Sequence, residues 1–575
     1  MRFFWITLVA LFGTETFAQN KITTKFELSN GTQTPAYFEI IDWWKSLDEK
    51  SGKVKMLTMG MTDAGYPLHL VVVANNGDYN FKNIRKNNKR IIFINNGIHP
   101  GEPDGIDASM LMVRDIVTGK YKIPDNLVLA IIPVYNIGGC LNRSANFRVD
   151  QNGPEEFGFR GNSQNLDLNR DFIKCDSREA RSFAEIFHLL DPDVFVDNHV
   201  SNGADYQHIM TLLTTQHTKL GGVMGEYLHN EFEPALYRLM KEKGFDLISY
   251  VNVWGDTPDK GWQEYWDTPR YASGYAALWN TFSFVPESHM LKPYDQRVNA
   301  TYALMQCFID FTAKNSDKIK QLRDETKKRV KEATSFPISW SLDKSVFKEL
   351  KYKGYESGKK PSEVSGLPRL YYDRTKPYEK IIPIYDYFPP KDFITKPEAY
   401  IIPQGWWKVI ELLKLNNVEM FRLEKDTSFS VEVYKIEDYK TMPRQYEMHH
   451  LNSEVKTNTS IQTLNFRKGD WYIPLNQVAN RFLIETLEPK SEDSYFAWNF
   501  FDAILGQKEG YSAYAFEDIA AEFLKNNKEL QKKLDDKKAT DPAFAKDGRA
   551  QLNFVYQNSP WFEPAYLQYP VYRKL

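Results

Sequence analysis

The stretch RIIFINNGIHPGEPDG, Arg90 to Gly105, is an apolar run that stops at Asn95 and then turns through Gly and Pro residues carrying His99 and Glu102. The run Arg90 to Ile94 has the length and β-branched content of a buried strand. Three similar runs follow: LVLAIIPVY (Leu127 to Tyr135), DVFVD (Asp193 to Asp197) and TFSFV (Thr281 to Val285). Between them lie helical candidates at Gly105 to Val117, Ser177 to Leu190 and Val223 to Lys243. Upstream, KVKMLTMGMTDAGYPLHLVVVANN reads as two strands joined around Asp63-Ala64-Gly65. Near-continuous apolar strands alternating with helices predict an α/β fold with a mixed, largely parallel sheet flanked by helices.

The chain has 575 residues, too many for one ordinary core, so two or more domains are expected. A hydrophobic fraction of 42% with 14% aromatic residues argues for packed globular domains and against disorder. The net charge is -2 and no long basic stripe is present, which argues against nucleic acid as a partner. At the N-terminus Met1-Arg2, the apolar run Phe3 to Phe12 and Thr16-Phe17-Ala18 match a signal peptide cleaved near Ala18. The expectation is export to the periplasm or medium, with residues 1–18 removed; the alternative is a buried N-terminal strand. The run is shorter than the roughly 18 apolar residues of a spanning helix, so no stable membrane insertion is expected. Cys140, Cys175 and Cys307 are an odd set without metal-ligand spacing, and all three are expected to be buried structural groups.

Residues 19–330 form the first expected domain. Residues 331–397 read as a linker or wrapping segment, because Tyr352 to Pro397 is rich in Lys, Pro and Tyr with little periodicity. Residues 398–575 read as a smaller α+β C-terminal domain, opening with strand, helix and strand in EAYIIPQGWWKVIELLKLNNVEMFRL. A helix is expected from Phe516 to about Lys537, and helix-start signals occur at Ser491 to Ser494. Trp406, Trp407, Trp471, Trp498 and Trp561 offer either an aromatic binding surface or core packing.

Chemistry gathers where the apolar runs end. DVFVDNH delivers His199 and TFSFVPE delivers Glu287, and in open α/β sheets ligands bind outside the carboxyl ends of the strands. His99, Glu102 and His199 then match a catalytic zinc site by residue type, with one position open for water. Glu287 suits the non-ligand carboxylate that takes the proton of that water. FRGNSQNLDLNRDF adds Arg160 as fixed positive charge for an oxyanion, and Asn169 with Arg170 as a fork for a substrate carboxylate. Asp167 is placed to accept the second N–H of a zinc-bound histidine. Taken singly, each motif is also compatible with a surface loop or a satisfied core histidine.

HPGE, DLNRDF, DNH and a later PE after a strand, in that order, resemble the zinc carboxypeptidases of the carboxypeptidase A type over about Lys21 to Asn315. The resemblance implies one Zn2+ per chain held by His99, Glu102 and His199, with Glu287 as general base and proton donor. It implies that Arg160 polarises the scissile carbonyl and that Asn169 and Arg170 hold the C-terminal carboxylate of a peptide. It also implies a tyrosine over the substrate; PRYASGYAALWN offers Tyr271, the preferred residue, and Tyr275. The chain departs from the family in Asp171, where Asn is usual, and in the loop VNVWGDTPDKGWQEYWDTPR. It also lacks a propeptide-like stretch after Ala18. The expected activity is removal of C-terminal residues from peptides. The alternatives are a zinc amidase or deacylase acting on cell-wall peptides or acyl-amino acids, and a non-catalytic peptide- or glycan-binding protein.

Overall fold

The structure, a computed structural model, describes residues 22–575; the segment read as a signal peptide lies outside the described residues. The central sheet is built from β1 (Val54–Met61), β2 (Pro67–Val73), β3 (Arg90–Asn95), β4 (Leu127–Ile132), β5 (Val194–Asp197), β6 (His199–Ser201), β7 (Met210–Thr214), β8 (Leu247–Ser249) and β9 (Phe282–His289). Its order is β1-β2-β4-β3-β5-β9-β7-β8, with β6 beside the end of β9. β4, β3, β5 and β9 run parallel, β1 and β2 are antiparallel at one margin, and β7 is antiparallel to β9. The fold is therefore the mixed, largely parallel α/β arrangement expected, followed by a sheet-rich C-terminal region.

The strands carry apolar residues continuously because both faces are covered. Ile91, Phe93, Val128, Ala130 and Phe195 pack on the side of helix Arg178–Leu190, while Ile92, Ile94, Leu127, Leu129 and Val196 face helices Asp104–Val117 and Tyr294–Lys314. Alternate residues of one strand thus enter different layers. The three cysteines are free and buried.

Several boundaries move for local reasons. The run expected to reach Tyr135 ends at Ile132, because Pro133 has no N–H for the ladder. The strand expected to stop at Val285 continues to His289, so Glu287 lies within β9. The helix expected over Val223 to Lys243 is interrupted by a π-helical turn, Leu228–Phe232. Where a linker or wrapping segment with little periodicity was expected, Lys348–Pro361 and Pro368–Tyr385 form a long antiparallel hairpin. Much of it is exposed, so backbone pairing holds it without the apolar alternation that sequence reading depends on. The expected helix Phe516 to Lys537 divides into Ala513–Asn526 and Lys528–Thr540, with the Asn527 side chain capping the second. Ser491 to Ser494 start no helix; the Ser494 hydroxyl accepts the Ala497 N–H inside a turn.

The C-terminal region forms a six-stranded antiparallel sheet that includes Ala399–Ile402 and Tyr572–Lys574. One apolar cluster runs from Leu68 in the central sheet to Val571 in this region. Among the expected tryptophans Trp498 is fully buried, whereas Trp407 is 55% and Trp561 48% exposed. Among the described residues no helix is long and apolar enough to cross a membrane.

Asp193, just before β5, is fully buried and faces the guanidinium groups of Arg323 (2.8 Å), Arg85 (3.1 Å) and Arg90 (3.2 Å). It also accepts the Ile91 N–H at 2.8 Å, which ties β5 to β3. Burial opposes its charge, but the three guanidinium groups hold its pKa below the ordinary value. Asp193→Ala removes the buried partner of all three cations, leaving Arg323 with only the half-exposed Asp191 at 2.7 Å, and should cost about 3–5 kcal/mol in urea unfolding at pH 7. The depressed pKa makes this contribution present above the unfolded carboxylate pKa and lost as pH falls through the folded value, so the gap to wild type should close in acid.

Candidate metal centre and cleft

His99 and Glu102 lie on a tight turn after β3, not on a helix, and the Glu102 N–H donates to the His99 carbonyl at 2.8 Å. Gly97 makes the turn possible with φ of +65°, and a Cβ on Gly105 would meet the Asn198 Cβ at 2.5 Å. Helix Asp104–Val117 begins only after the pair has been presented. Parallel pairing sets Asn95 opposite Asp197 and His199 opposite Glu287, so the turn, β6 and β9 share one end of the sheet.

Three ligand atoms, one each from His99, Glu102 and His199, lie within 4.8 Å of one another. His99 Nε2 donates to Asp167 Oδ1 at 2.8 Å and His199 Nε2 donates to Asp197 Oδ2 at 3.0 Å. Each Nδ1 therefore turns towards Glu102, at 3.4 Å for His99 and 3.2 Å for His199. His99 Nδ1 is buried without a hydrogen-bond partner. A donor left unmated beside a second imidazole and a carboxylate fits a zinc ion, and the two outer carboxylates fix the tautomers such binding requires.

The electrostatics follow from burial and neighbours. Burial opposes charge on Glu102, but Arg148 and His99 hold its pKa well below the ordinary value. Burial likewise opposes charge on His199, but Asp197 and Glu102 raise its pKa well above the ordinary value. A metal ion at such a donor set takes the place of the imidazole proton. Burial pushes Glu287 up to about 8, with His199 opposing and Glu102 reinforcing the shift.

A cleft of about 600 Å³ opens over this cluster and is lined by Glu287, Arg160, Asn169, Arg170 and Tyr271. Arg160 bonds to Asp167 through Nε at 3.0 Å, reaches Glu102 at 3.4 Å, and keeps 44% of its side chain exposed. The Asn169 Oδ1 is buried and unpaired. The Arg170 guanidinium lies 4.6 Å from the centre of the Tyr271 ring, whose hydroxyl accepts from Tyr265 at 2.6 Å. Tyr275 does not reach the cleft: it is fully buried and its hydroxyl donates to Asn416 at 2.6 Å, because the helix Ala272–Leu278 turns it into the core. Asp171, the departure from the family pattern, is buried as well, accepting from Lys174 at 2.7 Å and from the Ser177 N–H at 2.9 Å. It serves the chain path and not the cleft.

Two residues at the centre escaped sequence reading. Asp197 stood inside the DNH motif, two positions before His199, and could have been inferred from the need to orient that ring. Arg148 donates to Glu102 at 2.6 Å and to the Val200 carbonyl at 3.2 Å, and no spacing in the sequence signals it. The C-terminal region also takes part: Glu447 accepts the Asp167 N–H at 2.9 Å, and Arg270 pairs with Asp493 at 2.6 Å. Asp197→Ala should weaken Zn2+ binding by about 10–100-fold, read by competition with a chromophoric chelator, because the His199 ring loses its anchor.

Residues 40–194 match the sequence model of the peptidase M14 family, zinc carboxypeptidase. That segment contains His99, Glu102, Arg160, Asn169 and Arg170 and ends before His199 and Glu287. Among curated proteins none matches the chain. Solved structures similar to it include carboxypeptidase A from Helicoverpa armigera, at 13% identity over 49% of this chain and 74% of that one, with a TM-score of 0.37. A metallo-carboxypeptidase from Burkholderia cenocepacia is 15% identical over 48% of this chain and 68% of that one, with a TM-score of 0.35. A metallo-carboxypeptidase from Pseudomonas aeruginosa, solved with (2-guanidinoethylmercapto)succinic acid, is 14% identical over 48% and 68%, with a TM-score of 0.36. By its ordered motifs and by the family match over residues 40–194, the first half of the chain resembles the zinc carboxypeptidases.

Proposed function

We propose that the protein is an exported zinc metallocarboxypeptidase that removes C-terminal residues from peptides. The observation that carries this reading is the convergence of both histidine Nδ1 atoms on Glu102 beside Glu287, at the floor of a cleft that also holds Arg160, Asn169 and Arg170. His99, Glu102 and His199 would hold the ion. Bound there, zinc would act as a Lewis acid, lower the pKa of its water and favour the ionised form of Glu287.

The chain's own groups divide the remaining work. Glu287 takes a proton from the attacking water and returns it to the leaving amine. Arg160 supplies positive charge where the carbonyl oxygen becomes an oxyanion, and its partial exposure leaves it able to turn towards substrate. Arg170, with Asn169 beside it, binds the terminal carboxylate, which limits the enzyme to chain ends. Tyr271 packs against Arg170 and covers that subsite. Export rests on the N-terminal sequence pattern. Residues 19–330 carry the chemistry, and residues 398–575 act as an accessory region that braces it.

The test is hydrolysis of a mixed peptide library, followed by mass spectrometry, for wild type and Glu287→Gln with zinc measured in both. Trimming from C-termini by wild type and a loss of about 10²–10⁴-fold in the variant, with zinc retained, is expected. Zinc retention without peptide trimming by wild type, but with cleavage of muropeptides or acyl-amino acids, would replace the carboxypeptidase by an amidase.

A further inference from the structure

Three side chains from separate segments converge outside the residues lining the cleft. His217 opens the short helix His217–Leu220, His229 sits in the π-helical turn Leu228–Phe232, and Asp386 follows the hairpin strand Pro368–Tyr385. One ligand atom from each lies within 4.8 Å of the others. The two imidazole rings stack with centroids 4.2 Å apart, and Asp386 Oδ2 lies 4.0 Å from His229 Nδ1. Neither ring makes a hydrogen bond among the described residues. Two imidazoles with free nitrogens, one of them on a π-turn that displaces its side chain from the helical path, are an uncommon way to fill space.

The charges around the cluster point the same way. Lys348 Nζ lies 2.9 Å from Asp386, 3.2 Å from Glu233 and 3.7 Å from Glu264, so one ammonium faces three buried carboxylates. Burial pushes Glu264 up to about 7; Lys348 opposes the shift, while Glu233 and Asp386 add to it. A divalent cation beside Asp386 would balance the surplus negative charge. Two imidazoles and a carboxylate are also the donors that suit zinc. Bonds of about 2.0–2.2 Å place tetrahedral ligand atoms roughly 3.3–3.6 Å apart, so His229 and Asp386, now 4.0 Å apart, would close by about half an ångström.

We propose that His217, His229 and Asp386 form a second divalent metal site, suited to Zn2+, that ties the base of the long hairpin to the helices flanking the central sheet. The site is independent of hydrolysis at the first centre. Its test uses full-length protein stripped of metal and titrated with Zn2+ alone, with bound metal counted by elemental mass spectrometry. Wild type should bind two ions per chain, and His217→Gln and His229→Gln one each, with the affinity of the remaining site unchanged as a control for folding. His99→Gln, which disables the first centre, should still bind one ion and gain thermal stability from it. Binding of a single ion by wild type, no ion by His99→Gln, or two ions by His229→Gln would overturn the proposal. Retention of this stoichiometry in a protein that cleaves no peptide would leave the second site standing and remove only the hydrolytic reading.

Discussion

The register that sets Asn95 opposite Asp197 and Glu287 opposite His199 is the constraint on which the candidate centre depends. Side chains alternate across a sheet, so a slip of one residue would send His199 or Glu287 to the opposite face and break the cluster. The register is enforced by burial on both faces and by Asp193, which bonds to the Ile91 backbone and to three arginines at the start of β5. A charge cluster at one end of the strands thus steadies the geometry at the other.

At that other end the donor set is held from outside. Asp167 and Asp197 each take the outer N–H of a histidine, and Asp197 in turn accepts from Asn95 at 2.9 Å. Both rings then have one orientation and one tautomer, and the inner nitrogens meet Glu102. The arrangement concentrates carboxylates, which Arg148, Arg160 and Arg170 offset.

The region beyond residue 330 is part of the same mechanical unit. Strand Trp262–Gln263, from the loop unlike the family, runs parallel to Ile384 and Tyr385 of the long hairpin. That loop also supplies Trp254 and Tyr265 to the cleft, so the hairpin shapes one cleft wall. Glu447 and Asp493, farther along the chain, fasten the segments that carry Asp167 and Tyr271. A cleft wall built from an unusual loop needs such support, because loops hold few backbone pairs of their own.

By itself the sequence determined the α/β class and the central strands, and it singled out His99, Glu102, His199 and Glu287, which the structure gathers at one end of the sheet. Each lay on or just after a continuous apolar run, a signal that survives without knowledge of distant contacts. Asp167 was legible for a different reason, standing inside the polar motif DLNRDF. Only the tertiary structure decided that Tyr275 is core and Tyr271 faces the cleft, since Tyr271 caps and Tyr275 lies within one short helix whose rotation is set by packing. Only it revealed Arg148, the hairpin of residues 348–385, and the meeting of His217 with His229 and Asp386. Those depend on contacts between segments far apart in the chain, and no local periodicity or spacing records where such segments will touch.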